Sequence, residues 1–202
     1  MITLDFTNPA LALRLGAGQR MPNESQQARA YFLRSARLGF STWAAEDLPL
    51  AIGLWEDPEV TKLTGGPFTR AQVSERLAHE LANFRQFGLQ YWPIFLLETG
   101  EHVGCCGLQP HDPANGVCEL GFQLCRVFWR RGFGREAAQA AITYGFSALG
   151  VRALYAGHHP SNDASRRLLQ GLGFRYTHDE FYPPTKRLEP CYLLTREQSR
   201  FA

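Results

Sequence analysis

Residues 128–137 read Phe-Trp-Arg-Arg-Gly-Phe-Gly-Arg-Glu-Ala, a basic aromatic turn that runs into an alanine-rich amphipathic segment. Gly132 and Gly134 let main-chain amides approach a ligand with no Cβ in the way. A helix starting there adds unpaired N–H groups and a partial positive charge. The combination is an anion cradle, most naturally for phosphate. Arg130, Arg131 and Arg135 surround it with mobile positive charge. A second candidate is Glu119. Along Val117–Leu124, residues Cys118, Leu120, Phe122 and Leu124 share one face, and Val117, Glu119, Gly121 and Gln123 the other. Glu119 is thus presented away from the more apolar side, where partial burial would raise its pKa and suit it to general-base work. Asn162 reads as a helix cap, with Ser165 one turn along on the same side.

Gly132 to Ala137 also matches G-x-G-x-x-A, the dinucleotide fingerprint, but the next strand, Leu154 to His158, carries no acid to hold a ribose. A phosphate loop of the Gly-Lys-Ser/Thr type is absent. His79-Glu80 lacks the second histidine of a zinc-protease motif, and neighbouring His158 and His159 would point to opposite faces of a strand, so no metal is expected. Trp43, Trp55 and Trp92 read as core.

Those residues need a scaffold. Ala36–Thr42 is expected to be a first strand, and Asp47 to cap a short helix through Trp55. Thr69 to Gln72 fits a capping box, with Val73, Leu77, Leu81, Phe84 and Phe87 following at helical spacing and Gly88 as the stop. Strands are expected over Tyr91–Leu97, Val103–Leu108 and Val117–Leu124, with a polar turn over Pro110–Gly116. A helix from Gly134 to Leu149, a strand over Ala153–Gly157 and a helix capped at Ser161 or Asn162 come next. The last strands are Phe174–His178 and Cys191–Thr195, joined by a loop over Asp179–Pro190. This order predicts a mixed α/β (α+β) layer. Residues 1–30 read as an irregular extension and 31–202 as one domain.

With 202 residues and net charge +2, the composition gives no case for nucleic acid or an acidic membrane surface as partner. No apolar run approaches the ~20 residues of a membrane span, and the start lacks the basic region of a signal peptide. Five cysteines without CxxC spacing point to reduced thiols packed in strands, which suits a cytoplasmic protein.

The loop, the helix Asn162-Asp163-Ala164-Ser165-Arg166-Arg167-Leu168-Leu169 and its Leu172-Gly173-Phe174 ending occur in order and at proper spacing. With Arg37-Leu38, Trp55 to Val60, Thr64-Gly65-Gly66 and Glu119 to Phe122, they make the chain resemble the GCN5-related N-acetyltransferases (GNAT) from about Arg37 to Thr195. Trp129, where the family loop has Gln or Arg, resembles the branch that acetylates ribosomal-protein N-termini. The resemblance implies a twisted mixed sheet of about seven strands with about four helices, splayed after the fourth strand. It implies acetyl-CoA, its pantetheine pairing with main chain near Leu124 to Arg126 and its pyrophosphate on N–H groups from Arg131 through Gly132, Phe133 and Gly134 to Arg135. It gives Glu119 the role of base, turns Asn162 toward the cofactor, and puts Leu169 where many members carry a Tyr acid. Ser165 is the candidate replacement for that acid. The acceptor implied is an amine, on a peptide N-terminus or a small molecule, attacked directly in a ternary complex. Dimers are common among such proteins, although the residues do not specify an oligomeric state. The missing Tyr keeps a rival open, an acyl-CoA-binding sensor or interaction module with little catalysis.

Overall fold

A computed structural model of the chain describes residues 29–201. In chain order it contains β1 (Leu33–Arg34), β2 (Leu38–Phe40), α1 (Leu48–Trp55), α2 (Pro58–Thr61), α3 (Arg70–Phe87), β3 (Tyr91–Leu96) and β4 (His102–Asp112). Then come β5 (Val117–Leu124), α4 (Phe133–Ser147), β6 (Ala153–Gly157), α5 (Asp163–Leu172), β7 (Arg175–Tyr182) and β8 (Arg187–Thr195). The expectation for residues 1–30 falls almost wholly outside the described residues.

The strands form one sheet in the order β1-β2-β3-β4-β5-β6-β8-β7. Every pairing is antiparallel except β5–β6. That parallel pair keeps register only over Val117–Ala153, Cys118–Leu154 and Glu119–Tyr155. Beyond Glu119 the strands part, so one edge of β5 from Leu120 to Leu124 faces a gap. This is the expected splay, after the fourth of the strands read from the sequence.

The sheet is covered on both faces. Ala137, Ala138, Ala141, Ile142 and Phe146 of α4 and Leu169 and Leu172 of α5 pack with Cys106, Leu108, Cys118 and Leu120 on one side. Ala51, Leu54, Trp55, Val73 and Leu77 from α1 and α3 pack with Trp43 and Cys105 on the other. Adjacent Cys105 and Cys106 thus serve opposite cores, as strand alternation requires. All five cysteines are free thiols.

Local signals account for the boundaries. Thr69 Oγ1 accepts from Gln72 N–H while Gln72 Oε1 accepts from Thr69 N–H at 2.9 Å, and Gly88 ends α3 in the left-handed region. Four expectations need correction. The sheet has eight strands rather than about seven, because Leu33–Arg34 adds an edge. The helices number five among the described residues, because Asp57 caps the short α2 by accepting from Glu59 N–H at 2.9 Å. Asp47 stands at the N-cap of α1, but its carboxylate accepts from Ala44 N–H and Arg29 instead of capping the helix. The Asp179–Pro190 loop is instead the body of a long β7–β8 hairpin paired through Tyr182–Arg187.

Candidate active site

Where β5 and β6 part, a cleft of about 400 Å³ opens on the face that carries Glu119, Gly121 and Gln123. Glu119 is on its floor, beside its register partner Tyr155 of β6. Asn162, Ser165 and Leu169 line the wall contributed by the start of α5. The structure therefore brings together the three side chains that sequence assigned to chemistry. Asn162 Oδ1 accepts from Ser165 N–H at 3.1 Å, which leaves the Asn162 amide N–H groups for a ligand. Leu169 contributes no donor and belongs to the core.

Burial pushes the Glu119 carboxyl above its usual range, with Glu180 adding to the shift; the nearby Tyr91 hydroxyl and Arg76 work against it. Tyr91 reaches this spot because residue 121 is glycine. A Cβ there would lie 2.4 Å from the Tyr91 ring. Gln123 is fixed beside it, its carbonyl accepting from Trp55 Nε1 at 2.9 Å and Arg76 at 3.0 Å, its amide donating to Thr64 at 3.2 Å. Behind Tyr91 is Glu80, buried and held by Tyr91 N–H at 2.8 Å and Gln109 at 2.9 Å. Burial raises its pKa to about 7.

The far wall belongs to the β7–β8 hairpin. Tyr155 Oη donates to Glu180 at 3.0 Å and lies 2.8 Å from Cys191 Sγ, and the His111 ring stacks on Tyr155 at 3.8 Å. Burial, with Cys191 and Glu180 assisting, drives the Tyr155 hydroxyl far above its usual pKa. His158 and His159 both border the cleft just beyond β6. His158 is buried against Tyr192, 3.4 Å from its hydroxyl, so it is a packed histidine.

The cradle is at the N-terminus of α4. Gly132 is its N-cap at φ 82°, in the left-handed region that glycine tolerates, and the helix begins at Phe133, one residue earlier than expected. Glu136 N–H is the first to find a helical carbonyl, that of Gly132. Among the described residues none of the main-chain N–H groups from Arg130 to Arg135 has a hydrogen-bond partner. A Cβ on Gly134 would come no closer than 3.5 Å to Leu124 and Leu168, so the approach to these amides is open.

Three arginines near the cradle have contacts of their own. Arg135 donates to Gly171 carbonyl at 2.7 Å, the Arg131 guanidinium lies 5.3 Å over the Phe133 ring, and Arg126 pairs with Asp57 at 3.3 Å. The open groups of the cradle itself are main-chain N–H groups. At the mouth of the gap, Trp129 Nε1 donates to Leu124 carbonyl at 2.7 Å. Cys125 N–H points across the ladder to Val103, so by alternation Leu124 N–H points the other way, into the gap.

Sequence reasoning missed Tyr91, Tyr155 and His111. The one available signal was that Tyr155 interrupts an otherwise small and apolar strand, Ala153-Leu154-Tyr155-Ala156-Gly157.

A splayed sheet, an open helix start at the gap and a half-buried carboxylate in the cleft define an acyl-transfer architecture. The sequence profile of the acetyltransferase (GNAT) domain matches residues 37–175, and the chain belongs to that family. It is 34% identical over 145 residues to the uncharacterized N-acetyltransferase p20 of Bacillus licheniformis, across 71% of this chain and 82% of that protein. FsC-acetyl coenzyme A-N(2)-transacetylase of Aspergillus fumigatus is 29% identical over 184 residues, 82% of this chain and 77% of that one. An acetyltransferase from Agrobacterium tumefaciens superposes with a TM-score of 0.71 at 26% identity, covering 87% of this chain and 100% of that one. RimL, a ribosomal L7/L12 α-N-protein acetyltransferase, superposes with a TM-score of 0.68 over 80% of this chain and 91% of its own, and at 15% identity that likeness concerns the fold. Among the described residues no helix is long and apolar enough to cross a membrane.

Proposed function

We propose that the chain transfers an acetyl group from acetyl-CoA to a primary amine by direct attack in a ternary complex. The observation that carries this is the cleft itself, with Glu119 and the start of α5 facing each other where β5 and β6 part. Acetyl-CoA supplies the activated acyl group and an anionic diphosphate. The unpaired N–H groups of Arg131, Gly132, Phe133, Gly134 and Arg135 suit that diphosphate. The amide of Asn162 and the exposed β5 edge near Leu124 and Arg126 suit the pantetheine arm. The printed name of the Aspergillus relative supports the same donor.

Glu119 takes the proton of the acceptor ammonium, directly or through water, its raised pKa making it a stronger base than an ordinary carboxylate. Leu124 N–H polarises the reacting carbonyl from the gap. Ser165, one turn before the position that holds Leu169, delivers a proton to the departing sulfur. Tyr155 and Glu180 border the acceptor side, where either a peptide N-terminus or a small amine would enter.

Leu169 favours a second reading, an acyl-CoA-binding module with little turnover. Calorimetric titration with acetyl-CoA, followed by thiol release against a panel of peptide and small amines, separates them. Micromolar binding with release for at least one amine is expected. Binding without release by any amine supports the module, and no binding at high micromolar concentration overturns both.

A further inference from the structure

The β7–β8 hairpin carries a second arrangement, which shares Glu180 with the acceptor side of the cleft. Its register slips by one residue between Tyr176 and His178, so that His178 rather than Thr177 stands opposite Cys191. His178 and Glu180 are two apart on one strand and share a face. His178 Nε2 lies 3.9 Å from Glu180 Oε2, and Cys191 Sγ lies 4.0 Å from the same oxygen. All three donor atoms fall within 4.8 Å of one another. Ligand atoms in a tetrahedral zinc site stand about 3.3–3.8 Å apart, given bonds of about 2.0–2.3 Å. Shifts of an ångström or less would bring the three into that range.

The imidazole is also oriented for such a role. Thr177 Oγ1 donates to Cys191 carbonyl at 3.1 Å, which commits its single proton. Its 3.0 Å contact with His178 Nδ1 therefore has the ring N–H as donor. A neutral ring in that tautomer turns the Nε2 lone pair toward Glu180 and Cys191. A lone pair facing a carboxylate gains nothing from it, whereas both gain from a cation between them; Tyr155 Oη, which donates to the same Glu180 oxygen at 3.0 Å and lies 2.8 Å from Cys191 Sγ, would turn to the cation or to water. An outer hydrogen bond that fixes the tautomer of a histidine is a regular accompaniment of metal ligation.

The geometry points to a site for one zinc-class divalent cation held by His178, Glu180 and Cys191, at the lip of the cleft. The mixed nitrogen, oxygen and sulfur set suits zinc or cobalt and disfavours magnesium and calcium. On binding, the Cys191 S–H bond is replaced by a metal–sulfur bond and the thiol proton passes to solvent. The exposed His178 and Glu180 give an ion access from water. Sequence alone gave no hint of this grouping, because Glu180 read as loop and Cys191 as a packed thiol.

The full chain, stripped with chelator, is titrated with Co2+. A near-ultraviolet thiolate charge-transfer band saturating at one equivalent, release of one proton per metal and displacement by zinc are expected. Cys191→Ser should abolish the band. His178→Ala, at an exposed strand position, should weaken binding at least tenfold, and Thr177→Val should keep the band while weakening binding about 10–100-fold. Wild-type chain that shows no band at tenfold excess of cobalt, or binds cobalt without a band, overturns the site. A band that persists in Cys191→Ser assigns the metal to another thiol and also overturns it. Should Cys191→Ser fail to fold, unaltered affinity in both His178→Ala and Glu180→Gln has the same force. None of these readouts depends on acetyl transfer.

Discussion

The cradle and the cleft are built from different materials. At the α4 end the groups that face a ligand are main-chain N–H groups, while Arg135, Arg131 and Arg126 lie against Gly171, Phe133 and Asp57. At the hairpin end they are side chains, namely Glu119, Tyr91, Tyr155 and Glu180, drawn from four strands. A main-chain site depends on glycine and on where a helix starts. A side-chain site depends on register, on burial and on which residues stand next to one another. The first should therefore tolerate loss of a charged side chain but not the addition of one, and the second should be sensitive to single atoms.

Gly134→Glu tests that contrast most severely. It sets bulk and negative charge among the open amides, and losing two charge-assisted hydrogen bonds of about 1.5–3 kcal/mol each should weaken acetyl-CoA binding at least a hundredfold by calorimetry. Unaltered affinity would move the anion site elsewhere. At the other end, Glu119→Gln should lower kcat by about 10²–10⁴ while leaving acetyl-CoA affinity within about twofold. A variant that turns over as fast as wild type would remove Glu119 as the base.

Glu80 probes the buried charge behind Tyr91. Its pKa is about 7 in the folded chain against 4.5 for the free group, so the unfolded chain gives up this proton first. Stability should fall as pH rises from 4.5 to about 7 and then level off, a loss of roughly 3 kcal/mol. Urea unfolding across that range should show the slope in wild type, and Glu80→Gln should flatten it. Gly121→Ala drives a methyl into the Tyr91 ring, and overpacking of this kind should cost about 1–3 kcal/mol in the same assay. The smallest effect belongs to Arg135→Ala. Because the guanidinium holds Gly171 carbonyl, acetyl-CoA affinity should change less than about threefold and stability by about 1 kcal/mol. A tenfold loss of affinity would show that the cradle needs that charge after all.

The same contrast explains what the sequence disclosed. Gly132, Gly134 and the apolar stripe that follows are contiguous, so the start of α4 could be read to within one residue and its end to within two. The capping box at Thr69 and the stop at Gly88 were equally local. The hairpin was legible only at its base, Phe174–His178 and Cys191–Thr195, and not over Asp179–Pro190. Every residue of β7 is exposed, so no alternation of buried and solvent-facing positions records the strand, and its acids and polar groups read as loop. Tyr91 meets Glu119 only through the antiparallel register of β3, β4 and β5 and the absence of a side chain at 121. Neither is written in any single segment. The strand Glu119 occupies was readable because its other face is buried against α4 and α5.

Glu136 has a consequence for how the chain is made. Its carboxylate gathers Ser35 Oγ at 2.8 Å, Arg37 N–H at 2.7 Å and Arg37 Nε at 2.7 Å, partners 101 and 99 positions earlier. Translation at about 5–20 residues per second leaves those early partners waiting roughly 5–20 s for the helix that anchors them. Leu38 and Phe40, both fully buried in the finished protein, are unprotected for that interval. β1 and β2 thus wait for the carboxylate that fastens them to α4, and nascent chains stalled before residue 136 should be clients for chaperones that bind exposed apolar segments.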